Sequence, residues 1–134
     1  MALLETKYSD YFYAVFRIGI GAFLLALGSM KLLGLWGMPG GPAAFGTLIW
    51  YAGIFELMIG LSMVAGVLVR LASAFGIIMM IVAYYLGHVS VGGWNPMVNQ
   101  GMPALLFMLA FIATLAFGAR KASLELMIFK KEFF

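Results

Sequence analysis

At 134 residues the chain is one domain by length, but 65% hydrophobic and only 10% charged residues exclude an ordinary soluble globule. Its mean hydropathy is +1.08, and the net charge of +3 gathers at the ends of apolar runs, which is a topology signal and not a nucleic-acid surface. The lack of cysteine excludes disulfides, thiolate zinc, iron–sulfur ligation and CxxC redox chemistry, and a single histidine excludes a bis-histidine haem within one copy.

The pattern predicts an all-α integral membrane protein, a four-transmembrane-helix antiparallel bundle over residues 1–134. Period-2 alternation of a membrane barrel is absent. The first ten residues carry mixed charge, and the apolar run behind them is too long for a signal-peptide core and lacks an A-x-A exit, so the first span is expected to be retained. The eleven methionines are scattered through the spans as packing and lipid-facing bulk.

Tyr8, Tyr11, Phe12, Tyr13 and Phe16 form an aromatic approach suited to the headgroup boundary. The first span follows at about residues 11–33, and its Arg17, Gly21, Leu24, Gly28 and Lys31 fall on one helical face. Trp36, Pro39, Gly40, Gly41 and Pro42 then make a loop. The second span, about 44–69, carries one charge, Glu56, roughly 18 Å from each end and so near the bilayer midplane. A carboxylate there costs at least ~2.5 kcal/mol and has to be paired, protonated or facing a wet cavity. Gly53 and Gly60 share its face and allow a neighbouring helix to approach.

With no Gly/Pro loop near Arg70, the second span should turn at once into the third, about 71–88, as a tight helical hairpin. Ser62 with Gly66 and Ala72 with Gly76 supply small-residue spacings for close contact. An uncharged polar loop holding Trp94, Asn95, Asn99 and Gln100 leads to a fourth span at about 102–118, with Ala110, Thr114 and Gly118 as its small face. In the tail, 119–134, Leu124, Met127, Ile128 and Lys131 have the spacing of an amphipathic surface helix. Lys7, Arg17, Arg70, Arg120, Lys121, Lys130 and Lys131 fall on the terminal side and Lys31 near the other, an asymmetry that puts both termini in the cytoplasm.

Two constellations are candidate sites. Arg17 lies about five residues, roughly 7.5 Å, from the midplane, and a side chain reaching toward it would form a buried charge pair with Glu56. Three readings stay open for that pair: a structural lock on helix register, proton or ligand handling, and an arginine snorkelling to the surface. At the other end Lys31, Tyr84, His88 and Trp94 gather toward the outer face, as a headgroup-sized pocket or as wetted helix-end residues. A metal site is not expected, since His88 has no second imidazole or thiolate beside it.

Arg17-Ile18-Gly19-x-Gly21, Gly28-x-x-Lys31-Leu32, Glu56-x-x-x-Gly60, Gly66-x-x-x-Arg70-Leu71 and the closing Gly118-Ala119-Arg120-x-x-Ser123-Leu124-Glu125 resemble, in order and spacing, the DoxX family. The match spans nearly the whole chain, with a single glycine where the family often has a pair after the acid, and Glu125 where it often has Asp. The resemblance implies a four-helix bundle serving as a small subunit of a membrane-associated oxidoreductase, as in the DoxD-type subunit of archaeal thiosulfate:quinone oxidoreductase. It implies contact with quinone, no covalently bound cofactor, and the plasma membrane of a prokaryote. The chain has no nucleophile set or redox ligands, so it is not expected to catalyse alone; lipid and further membrane or peripheral subunits are its expected partners, and nucleic acid is not. The alternative is a non-catalytic anchor or assembly subunit of a larger membrane complex.

Overall fold

The structure, a computed structural model, describes residues 8–133. Lys7, one of the basic residues behind the expected orientation, lies outside the described residues. The helices are α1 (Ser9–Leu33), α2 (Leu48–Ala65), α3 (Val69–Tyr84), α4 (Met102–Phe117) and the short α5 (Leu124–Phe129). After Tyr84, α3 continues through a π turn, Tyr85–Val89, and a last turn, Ser90–Gly92. Among the described residues there is no strand.

Ser9–Leu33, Leu48–Ala65 and Val69–Gly92 are long and apolar enough to cross a membrane. The 16-residue α4 is equally apolar but shorter, about 24 Å against a hydrocarbon core of ~30 Å. Large apolar side chains such as Phe12, Phe23, Leu61, Ile78 and Leu106 point outward. A soluble monomer does not expose apolar surface on that scale, whereas lipid is its natural solvent.

The bundle is two tightly packed antiparallel pairs, α1 with α2 and α3 with α4. In the first pair glycines face each other two turns apart. A Cβ added at Gly21 would sit 2.8 Å from the Gly60 carbonyl oxygen, and one at Gly28 would sit 2.8 Å from that of Gly53. The backbones touch directly, Leu24 is buried between the two glycine contacts, and Met63 packs against Gly21. In the second pair Gly76 makes room for the Phe111 ring, and the Ser73 and Thr114 hydroxyls meet at 2.7 Å.

The α2–α3 turn comes earlier than the sequence pattern suggests. Gly66, expected to be a helix-packing residue, instead ends α2 in the left-handed region at φ +68°, with the Gly66 and Val67 amides donating to the Ser62 carbonyl. Arg70 therefore sits in the first turn of α3. At the other end of α2 the Thr47 side chain accepts from the Trp50 amide at 3.3 Å, and the helix starts at Leu48, four residues beyond the expected 44. The start of α1 and the end of α4 lie together: Tyr13 Oη donates to the Gly118 carbonyl at 2.6 Å, and Arg120 pairs with Asp10 at 2.9 Å.

Candidate functional site

The charged stripe of α1 is buried as its spacing implied, with Ala14, Arg17, Gly21, Leu24 and Gly28 facing inward. Its ionic partnership is different from the expected one. Glu56 Oε1 pairs with Lys31, not with Arg17. The reason is the direction of the side chains. Every Cα–Cβ bond tilts toward its own helix N-terminus. In antiparallel α1 and α2, Lys31 therefore leans back toward the middle of the bundle, Glu56 leans toward the end away from the termini, and the two converge. Arg17 leans the other way, out toward the terminal end.

Arg17 is fully buried there. One terminal nitrogen donates to the Met63 carbonyl, and the other donates to the carbonyls of Lys121 at 3.1 Å and Ala122 at 2.7 Å. Met63 lies in the last turn of α2, where carbonyls lack helical partners and the helix dipole is negative. Arg17 thus caps α2 and ties the tail to it. Ser123 Oγ donates to the Gly66 carbonyl at 2.6 Å, and Glu125, almost wholly buried, accepts from the Leu68 amide at 3.2 Å and the Phe133 amide at 3.0 Å. The Leu68 backbone sits at φ +50°, a region that side-chain-bearing residues seldom occupy, and Glu125 holds it there. Ser123 and Glu125 of the closing motif clasp the hairpin turn, while its Arg120 pairs with Asp10 at the start of α1.

At the opposite end α2 and α3 splay apart and leave a lateral groove of about 770 Å3. Its walls are apolar, from Leu48, Ala52, Phe55 and Ile59 on α2 and from Phe75, Ile78, Val82 and Leu86 on α3. Two groups that can carry a positive charge line it, Lys31 and His88. His88 lies in the π turn, a widened helical turn that recurs at functional positions. Its Nδ1 bonds the Asn99 carbonyl at 3.0 Å, which fixes the proton on Nδ1 in the neutral ring and leaves Nε2 as an acceptor.

Tyr84 and Trp94, grouped with Lys31 and His88 on sequence grounds, are not in the groove walls. Tyr84 Oη donates to the Trp94 carbonyl at 2.6 Å, and the Tyr84 ring packs over Gly101, so this pair braces the loop after α3. The Trp94 ring is exposed and lies 6.1 Å from that of Tyr85. The groove itself had one signal in the sequence, the large apolar residues Phe55, Ile59, Phe75, Ile78 and Val82 on facing sides of α2 and α3. A second cleft, about 550 Å3 between α1 and α4, is lined only by apolar residues such as Ile20, Leu27, Trp36 and Phe107. Among the described residues no group of three or more His, Asp or Glu is placed to hold a metal ion.

The fold and these sites define a small helical membrane protein that buries Arg17, Glu56 and Glu125 and brings Lys31 to the edge of one lateral groove. The DoxX family model matches residues 12–89. A protein of Haemophilus influenzae, itself described as uncharacterized, is 32% identical over 129 residues, covering 93% of this chain and 96% of the relative. No solved structure matches. The chain belongs to the DoxX family.

Proposed function

We propose that the protein is a membrane subunit that holds the headgroup of a lipophilic ligand, of quinone type, in the groove between α2 and α3. The observation that carries this reading is that Lys31 and His88 converge on one apolar groove open to the lipid. A volume of about 770 Å3 is within the range of small-ligand sites. Lys31 is a donor for a ligand carbonyl, and His88 Nε2 an acceptor for a ligand hydroxyl, so oxidised and reduced quinone rings each find a partner. The chain offers no ligands for a redox centre of its own, so a partner subunit in a membrane oxidoreductase would carry the electrons. Both termini would face the cytoplasm of a prokaryotic cell, following the basic residues.

Titration of the purified protein in lipid nanodiscs with a short-tailed quinone tests the reading. Lys31→Met and His88→Ala should each weaken binding about tenfold or more, equivalent to about 1.4 kcal/mol, while Trp94→Ala leaves it unchanged. Unchanged titration in both groove variants refutes the ligand site and leaves a non-catalytic anchor, held in its complex by surfaces elsewhere.

A further inference from the structure

The Lys31 ammonium stands between two unlike neighbours. On one side it meets Glu56, whose side chain is 5% exposed and whose Oε2 has no hydrogen-bond partner. On the other its own side chain, 22% exposed, forms part of the groove wall, which Glu56 does not reach. A molecule in the groove can therefore touch the cation without touching the anion.

We propose that the groove takes a single-chain amphiphile with a carboxylic acid headgroup, which displaces Glu56 from Lys31 and enters together with one proton that Glu56 takes up. This inference rests on the reading of the groove as a ligand site and not on quinone as its occupant. The ligand carboxylate pairs with the Lys31 ammonium, which keeps its three protons. The Glu56 carboxylate accepts one proton, from the ligand when it arrives as the neutral acid and from water when it arrives as the anion. No other bond forms or breaks, and the site is neutral before and after.

Glu56 has no substitute for Lys31. On α1 the next cation, Arg17, is fourteen residues away, about 21 Å along the helix, and is held by three carbonyls. On α3 His88 donates from Nδ1 to the Asn99 carbonyl and lines the groove, which Glu56 does not reach, Tyr84 donates to the Trp94 carbonyl, and Arg70 sits at the terminal end. The α4 segment has no ionisable residue, and the other titratable side chain of α2, Tyr51, lies toward its outer end. A carboxylate left unpaired at this depth costs at least ~2.5 kcal/mol, so the neutral acid is the accessible state. The Lys31 ammonium, once released by Glu56, matches one negative charge, that of a carboxylate. The alkyl chain follows Phe55, Ile59, Phe75 and Ile78 toward the bilayer centre.

The test is calorimetric titration in phosphatidylcholine nanodiscs, in two buffers of different ionisation enthalpy, with decane-1-sulfonate as a permanent anion and decan-1-ol as its neutral counterpart. The expected result is about one proton taken up per sulfonate bound and none per alcohol. Glu56→Gln should bind the sulfonate more tightly, on the order of tenfold, without proton uptake. The same proton count in His88→Gln, which removes the other group able to take up a proton in the groove, decides the matter even if the Glu56 variant does not fold. Sulfonate binding without proton uptake, or alcohol binding without sulfonate binding, overturns the proton coupling and leaves the groove as a ligand site. Binding of neither probe overturns the carboxylate proposal, and the quinone titration then decides separately whether the groove is a ligand site.

Discussion

Removing Lys31 should destabilise the bundle far more than removing Glu56, although the two form one ion pair. Lys31→Met strips Glu56 of its one partner, in a position where its side chain is 5% exposed and its second oxygen already lacks a hydrogen bond. An uncompensated buried charge of this kind costs about 3–5 kcal/mol. Glu56→Gln instead frees a lysine that is 22% exposed and two residues from the end of α1. Its ammonium can turn to the outer surface, and the expected loss is about 1 kcal/mol, as for an exposed pair. At a pH where Glu56 stays ionised, adding Glu56→Gln to Lys31→Met should then recover about 2 kcal/mol, because a buried neutral amide costs about 1–3 kcal/mol and not 3–5; where the unpaired acid takes up a proton the recovery vanishes. Reversible unfolding in mixed micelles with increasing dodecyl sulfate, followed by tryptophan fluorescence, measures all three. Arg17→Met combined with Glu56→Gln supplies the control and should be additive within about 0.5 kcal/mol. If Glu56→Gln costs as much in the Lys31→Met background as in the wild type, the pair does not exist; coupling to Arg17 instead would show that the side chains cross the seam in the opposite sense.

Gly60→Ala should cost about 1–3 kcal/mol in the same assay, because its Cβ would meet the Gly21 carbonyl oxygen at 2.8 Å, whereas Gly19→Ala, with nothing within 4 Å, should be neutral or stabilising by up to about 1 kcal/mol. Equal effects at the two positions would mean that α1 and α2 do not meet through their glycines. Arg17→Met should lose about 3 kcal/mol by orphaning carbonyls of α2 and the tail, and should make Arg120 and Lys121 more accessible to trypsin; an unchanged digestion pattern would deny the clasp. A cysteine at Gly41 is expected to react with an impermeant reagent from outside intact cells, and reaction at Lys131 instead would invert the orientation.

The inward face of α1 could be read from residue spacing alone, since Arg17, Gly21, Leu24 and Gly28 recur with the helical period and all four are buried. The partner of Glu56 could not be read from depth alone. Arg17 and Lys31 both flank the midplane, and only the tilt of side chains along antiparallel helices selects Lys31. Gly66 carried two compatible signals, a packing residue and a helix terminator, and the second prevailed because its amide and that of Val67 both reach the Ser62 carbonyl. The spacing of Leu124, Met127, Ile128 and Lys131 marked the tail as a surface segment and these side chains are exposed, but it did not show that Glu125 is buried against the hairpin turn. The π turn at Tyr85–Val89 has no residue signature, and without it the groove position of His88 is not visible in the sequence.

The groove is tested most directly by a photoreactive short-tailed quinone, crosslinked in native membranes and mapped by mass spectrometry. The account predicts adducts on both groove walls, between Leu48 and Ile59 on α2 and between Phe75 and His88 on α3, and their loss under competition by unlabelled quinone. Adducts confined to the apolar cleft around Ile20, Leu27 and Phe107, or spread over the lipid-facing surface without competition, would contradict it.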